Sequence, residues 1–205
     1  TLDGKKVRIL GFNHDELAEP TTAYGTSTTT GKAGISFEYV DFLTSTQMKS
    51  SDTNIGGWKD TALRETLNGT TYNSLSIKKK IKKVKKDYIP TYNADLISIE
   101  PTEDYLWLLS CGEIWDNGYN GGSTRGLTIT TEGKQYKYYK MNLESTKYSK
   151  SNNIIKKPNV NNSDFWWLRS PYYNDKGFFC LGGSDGSGNY GYSSSSRGVA
   201  PGFSI

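Results

Sequence analysis

His14 is the only histidine among 205 residues, so a multi-histidine metal site is impossible and a Ser-His-Asp triad would have to use that one side chain as its base. Cys111 and Cys180 are the only cysteines. They lack the CxxC spacing of a zinc or redox site and fit small buried thiols; a single bridge would need their Cα atoms near about 6 Å apart. Carboxylates do occur close together, Asp15 with Glu16 and Glu100 with Glu103 and Asp104. No spacing puts such a pair across a cleft at the separation glycoside hydrolysis needs, and acids are surface groups by default. The inventory therefore predicts no catalytic residue, no metal ligand set and no cofactor: not an enzyme.

The pattern that does carry function lies in the last forty-odd residues. Two apolar blocks, 165–168 and 199–205, bracket a stretch of different character. Residues 172–196 hold Tyr172, Tyr173, Tyr190 and Tyr192, six glycines and six serines, with Lys176 the one long flexible chain. This is paratope composition: tyrosine offers a large amphipathic contact area at low rotamer cost, and Ser, Gly and Asn add adaptable hydrogen bonding. A long solvated hairpin loop has the same composition, because Gly, Ser, Asn and Asp are also turn formers. As a display surface the segment predicts ligand contacts from Tyr172, Tyr173, Asn174, Asp175, Phe179, Asn189, Tyr190, Tyr192, Ser193, Ser194 and Ser195. Those tyrosines should then be exposed together on one face.

The elements that must position this segment are strand-like. Phe165, Trp166, Trp167 and Leu168 form a bulky run too short for an ordinary helix and rich in β-favouring aromatics. Val199, Phe203 and Ile205 alternate, with Pro201 tolerable at an edge or bulge. Alternation also predicts strands at 6–10 and 34–39, with a loop over 13–33 between them. Asp60 can cap a short helix over 61–68, in which Leu63 and Leu67 share a face and Asn68-Gly69 close the end. Residues 75–84, with Ile77, Ile81 and Val84 at helical spacing among seven lysines of 78–86, predict a second helix or a helix running into a strand, its charges a solvated face. Residues 105–109 read as a buried strand, and Ser110 with Glu113 match a capping box for a weak helix. Hairpin strands are expected at 126–130 and 135–139, and a short strand at 96–99.

Composition allows one domain spanning 1–205. A net charge of +4 is too balanced to imply nucleic acid. Mean hydropathy is -0.66, yet five Trp, seven Phe and fifteen Tyr supply the bulk of a real core. No run is long and apolar enough to span a bilayer, and the first residues have no signal-peptide character.

Taken in order, the segments 54–58 (NIGGW), 63–67 (LRETL), 106–110 (LWLLS), 166–171 (WWLRSP) and 198–203 (GVAPGF) resemble a bacterial and phage domain family of unknown function. That family looks like a divergent C-type lectin fold, similar to the variable proteins of diversity-generating retroelements. The resemblance implies an α+β, C-type lectin-like single domain with paired terminal strands, short helices and long loops. It implies a receptor- or adhesin-like protein at a cell surface, outside the cell or on a virion. In such variable proteins, adenine-containing codons are randomised just before a fixed C-terminal strand. Within 172–196 only Lys176 lies outside the set reachable from Asn codons.

Similarity to the fold also brings in formylglycine-generating enzymes as the alternative, though the cysteines and ligands they need have no match here. Glu100-Pro101-Thr102 and Trp115-Asp116-Asn117 depart from the calcium motifs of sugar-binding lectins, and Glu100-Pro101 is expected to form a turn. A protein ligand is therefore expected rather than a carbohydrate. Arg169, framed beside two tryptophans, is expected to be structural.

Overall fold

The structure, a computed structural model, describes residues 1–22, 29–90, 98–115, 132–143, 156, 164–172 and 175–205. The expected strand at 126–130 and residues 96 and 97 lie outside this set. In chain order the strands are β1 (Val7–Phe12), β2 (Glu16–Thr22), β3 (Thr29–Lys32), β4 (Ile35–Tyr39), β5 (Thr44–Thr46), β6 (Val84–Tyr88), β7 (Glu100–Asp104), β8 (Trp166–Pro171), β9 (Phe178–Gly182), β10 (Gly188–Tyr192), β11 (Arg197–Val199) and β12 (Gly202–Ser204). The helices are short: α1 (Ala62–Thr66), α2 (Tyr72–Ser74), α3 (Cys111–Trp115) and α4 (Lys137–Asn142).

Three sheets result, ordered β1-β4-β12, β10-β9-β8-β11-β5 and β3-β2-β6-β7. The architecture is mixed α+β, mostly sheet. The terminal strands share a sheet but do not pair as expected: β4 lies between them, with Ile9 and Phe203 both opposite Phe37. The short β12 is a junction, because its far side bridges Gly202 to Trp107 and Ser204 to Lys82. β11 runs parallel to β8 and antiparallel to β5.

All five tryptophans are buried, in a core cluster that draws on residues from Leu2 to Phe203. Trp166 explains a glycine on the neighbouring strand. A Cβ at Gly182 would come within 2.0 Å of the Trp166 ring, so only glycine lets that ring lie flat against β9. Gly198 under the Phe42 ring, at 2.1 Å, obeys the same constraint.

Helix α1 forms where expected, with Leu63 and Leu67 buried, but its cap is Thr61, whose side chain accepts the Arg64 N–H at 3.1 Å, rather than Asp60. Asn68 does not end it. Its amide is pinned instead across the chain, donating to Asp104 Oδ1 at 3.1 Å and to the Leu106 carbonyl at 2.9 Å, and the helical path continues through a π turn, Leu67–Thr71, into α2. Ser110 and Glu113 make the expected capping box, Glu113 N–H to Ser110 Oγ at 3.1 Å and Ser110 N–H to Glu113 Oε2 at 3.0 Å.

Four expectations are corrected. Residues 13–33 contain β2 and β3 rather than a loop. The lysine-rich 75–84 segment forms only a 3₁₀ turn, Lys78–Lys80, before β6. Val84, Lys86 and Tyr88 point in while Lys85 and Asp87 point out, and this period of two, carried by a β-branched and an aromatic residue, prevails over the helical spacing of Ile77, Ile81 and Val84. Residues 137–142 are helical, not a strand, because Tyr136 and Tyr139 bury themselves at a spacing of three. Glu100-Pro101 opens strand β7 rather than forming a turn. Leu106 to Leu109 are buried as expected, though only Trp107 bridges to a neighbouring strand.

Replacing Gly182 with Ala is expected to lower folding stability by about 3 kcal/mol, the upper range for an overpacked core position. Urea denaturation measures it, and an unchanged midpoint would mean that Trp166 does not lie across β9.

Candidate functional site

Within 172–196, β9 and β10 form a β-hairpin. β9 and β10 pair with Tyr192 opposite Phe178, Tyr190 opposite Cys180 and Gly191 opposite Phe179. Residues directly opposite share a face, so Phe178, Tyr190 and Tyr192 stand together. Tyr190 stacks on Tyr172 with ring centroids 4.1 Å apart, Tyr192 lies over Phe178 at 4.2 Å, and Phe178 meets Tyr190 edge-on at 5.4 Å. Tyr190 and Tyr192 remain 44% and 53% exposed on this support.

The eleven expected contact residues divide accordingly. Tyr190, Tyr192 and Asp175 are exposed, and Asn189, Ser194 and Ser195 are half-buried. Tyr173 and Asn174 lie outside the described residues. Three expectations fail. Tyr172 is buried because it is the floor on which Tyr190 stacks; Phe179 points to the opposite, core face of β9. Ser193 is buried because its hydroxyl ties the hairpin down, donating to the Gly177 carbonyl at 2.7 Å and the Thr53 carbonyl at 3.0 Å.

Sequence reasoning missed the supporting residues. Asn54 is fully buried, and its side-chain amide donates to the Asp175 and Phe178 carbonyls at 3.1 and 3.0 Å. Asp52 accepts the Ser194 hydroxyl at 2.6 Å and its N–H at 3.1 Å. The Asn-Ile-Gly-Gly motif is thus an anchor for the β9–β10 hairpin. Gly56 and Gly57 hold positive φ of 84° and 56°, and Ile55 is left 57% exposed. The two glycines beside an Asn were the available signal.

Behind the hairpin, WWLRSP delivers Arg169 into a buried ionic cluster. Arg169 donates to Glu113 Oε2 at 2.6 Å and to the Leu108 and Asp87 carbonyls at 2.8 and 2.9 Å. Lys86 donates to Asp15 Oδ1 at 2.5 Å, Glu113 Oε1 at 2.8 Å and the Tyr136 hydroxyl at 2.7 Å. The Tyr136 hydroxyl donates in turn to Asp15. Burial would raise the Asp15 carboxyl, but the Lys86 ammonium and hydrogen bonds from Lys86, Ser36 and Tyr136 outweigh it and hold Asp15 at about 2. Burial opposes Glu113 likewise, and Arg169 and Lys86 hold it below the usual range.

Asp15 and Asp104 are therefore buried rather than solvated acids. Asp104 accepts the Trp58 indole N–H at 2.9 Å and the Arg64 guanidinium at 2.7 Å. Asp15, Lys86, Glu113 and Arg169 line a polar cleft of about 280 Å³ with His14 and Lys134 on its wall. His14 stacks on Tyr136 at 4.0 Å and shares its Nε2 with the Lys134 carbonyl at 3.1 Å; burial holds its pKa below the ordinary value. Cys111 and Cys180 are buried thiols, Cys180 pushed well up by burial and by its neighbour Cys111.

Glu132 is the cluster's exception. It is buried, with Oε1 accepting the Ile89 N–H at 3.2 Å and, among the described residues, no partner in hydrogen-bonding geometry for Oε2. Burial pushes its carboxyl up to about 7, a rise that the nearby Arg169 charge offsets only in part.

Fold and site together define a small α+β domain that presents an aromatic hairpin on an ionically braced scaffold. The chain belongs to a family described as a domain of unknown function (DUF6273), whose model matches residues 30–205. No curated protein and no solved structure matches it. Among the described residues no helix is long and apolar enough to cross a membrane.

Glu132 makes stability depend on pH in a defined direction. Its folded pKa lies above the unfolded value of 4.5, so the folded state binds the proton more tightly and stability falls as pH rises from about 4.5 through about 7. At about 1.36 kcal/mol per pH unit of displacement, the penalty at pH 8 is about 3 kcal/mol. Glu132→Gln keeps the acceptor for Ile89 and carries no charge. Denaturation at pH 5 and pH 8 is expected to find the variant about 3 kcal/mol more stable than the parent at pH 8 and little different at pH 5; equal gains at both would refute the titration.

Proposed function

We propose that this chain is a ligand-binding module, receptor- or adhesin-like and of C-type lectin-like architecture, that recognises its partner through the tyrosine face of 172–196. The observation that carries this reading is the pair of exposed rings, Tyr190 and Tyr192, each resting on a second aromatic ring. A tyrosine fixed in this way loses little rotamer freedom on binding, which is what lets one aromatic side chain dominate an interface. The ring of half-exposed Asn189, Ser194 and Ser195 around them supplies adaptable polar contacts, a mixture suited to protein more than to carbohydrate.

The same division supports a variable protein of a diversity-generating retroelement, at a cell surface or on a virion. Exposed positions could vary freely, while buried Phe179, Cys180, Leu181 and Ser193 and the strands β11 and β12 stay fixed. An imperfect, adenine-differing copy of the 166–199 coding segment beside a reverse transcriptase gene is the expected genomic signature; its absence leaves an invariant binding module.

Arrays of immobilised glycans and of displayed protein domains, probed with the parent chain and with the Tyr190→Ala, Tyr192→Ala double variant, test the face itself. Each substitution is expected to weaken capture, the more central ring by about 2 kcal/mol, while each aromatic pair lost from the face lowers folding stability by only about 0.5–1.5 kcal/mol. A ligand retained in full by the double variant would overturn the reading.

A further inference from the structure

Among the described residues β10 is the outermost strand of its sheet, and its register shows which backbone groups face outward. The Ser193 N–H donates to the Gly177 carbonyl and the Gly183 N–H to the Ser187 carbonyl. These bonds make 177/193 and 183/187 hydrogen-bonded pairs, and the alternation of an antiparallel ladder then assigns 179/191 and 181/189 to the same class. Gly188, Tyr190 and Tyr192 therefore turn their N–H and C=O groups away from β9.

Two of those groups are already engaged. The Tyr190 N–H donates to its neighbour's side chain, Asn189 Oδ1, at 2.8 Å, and the Tyr192 carbonyl accepts the Ser195 N–H at 2.9 Å. The Tyr190 carbonyl and the Tyr192 N–H, flanking Gly191, have no partner among the described residues. An acceptor and a donor separated by one residue are what a parallel strand needs to bind both backbone groups of a single residue, whereas an antiparallel one would use both groups of Tyr190 or both of Tyr192. The strand's own caps thus oppose antiparallel addition at Tyr190 and Tyr192, leaving it only Gly188 at the start of the strand, while parallel addition across Gly191 is left open. Nor does β10, Gly-Asn-Tyr-Gly-Tyr, carry the Lys or Pro with which natural edges repel added strands.

We propose that β10 accepts one extended segment of a partner polypeptide as an added parallel strand. This deepens the ligand-binding reading above and rests on it. One partner residue sits opposite Gly191, its N–H donating to the Tyr190 carbonyl and its carbonyl accepting the Tyr192 N–H. Its two neighbours project onto the face where Tyr190 and Tyr192 stand, so backbone bonds hold the segment and the rings select its side chains. A sugar could stack on the rings but would not present this paired backbone geometry.

The test selects linear peptides from a randomised displayed library against the whole chain, then replaces each backbone amide of a selected peptide with an ester, one at a time. The expected result is a loss of about tenfold at one amide, as for one hydrogen bond removed, with a smaller loss at the next, whose carbonyl becomes a weaker acceptor. In ¹⁵N spectra, hydrogen exchange of the Tyr192 amide should slow on adding peptide, while that of Tyr190 changes little. If the esters cost nothing yet the tyrosine substitutions abolish binding, strand addition is wrong and the tyrosine face stands. If peptides bind with neither the esters nor the tyrosines mattering, both fall. Failure to select any peptide overturns strand addition alone, the glycan and domain arrays still judging the face. Protection of Tyr192 that grows with protein concentration and without peptide would identify the occupant as a second copy of this chain, also overturning it.

Discussion

The ion cluster of Lys86, Asp15, Glu113 and Arg169 is the constraint on which the rest depends. Its members come from two sheets, a helix and the turn between β1 and β2, and their contacts reach the third sheet: Lys86 from β6, Arg169 from β8, Glu113 from α3, and Asp15, which also meets Ser36 of β4 and Ser204 of β12. Four charges taken out of water cost more than their attraction returns unless every remaining donor and acceptor is met. Lys86 meets this demand with three oxygen acceptors and Arg169 with main-chain carbonyls as well as a carboxylate. Removing one partner would strand a buried charge, at a cost of about 3–5 kcal/mol. Such a cluster is poor glue but a strict specifier: packings that mis-set one sheet leave a charge unpaired.

A second cluster repeats the logic two residues further along the same face of β4. Arg8 and Lys156 both pair with the buried Glu38, which also accepts the Tyr139 hydroxyl at 2.7 Å. β4 thus brings Ser36 to one network and Glu38 to the other, so the strand that separates β1 from β12 is tied to both clusters.

Legibility in the sequence followed locality. The capping box at Ser110, the Leu63 and Leu67 face and the apolar run of β8 were readable because each is decided by neighbours a few residues away. Lys86 was not. In a run of seven lysines nothing local marks the one that turns inward; only the alternation with Val84 and Tyr88 does, and its partners lie 71 and 27 residues distant. Asp15 and Asp104 were misread for the same reason. Within 172–196, composition singled out the tyrosines, of which Tyr190 and Tyr192 are exposed. It could not separate them from Tyr172, whose burial depends on which ring stacks on top, or from Ser193, whose hydroxyl binds a loop 140 residues earlier.

The position of β12 has a kinetic consequence. Gly202 to Ser204 pair with β4 on one side and bridge to Trp107 and Lys82 on the other, so these earlier segments are joined through residues synthesised long after them. Contacts of such long sequence separation slow folding, since loop-closure entropy must be met before any of them forms. On the ribosome, β1 and β4 can pair early, but their sheet and the Trp107 segment stay open until β12 emerges from the exit tunnel. During that interval the β4 edge is unprotected, and the nascent chain is exposed to mispairing and to chaperone capture.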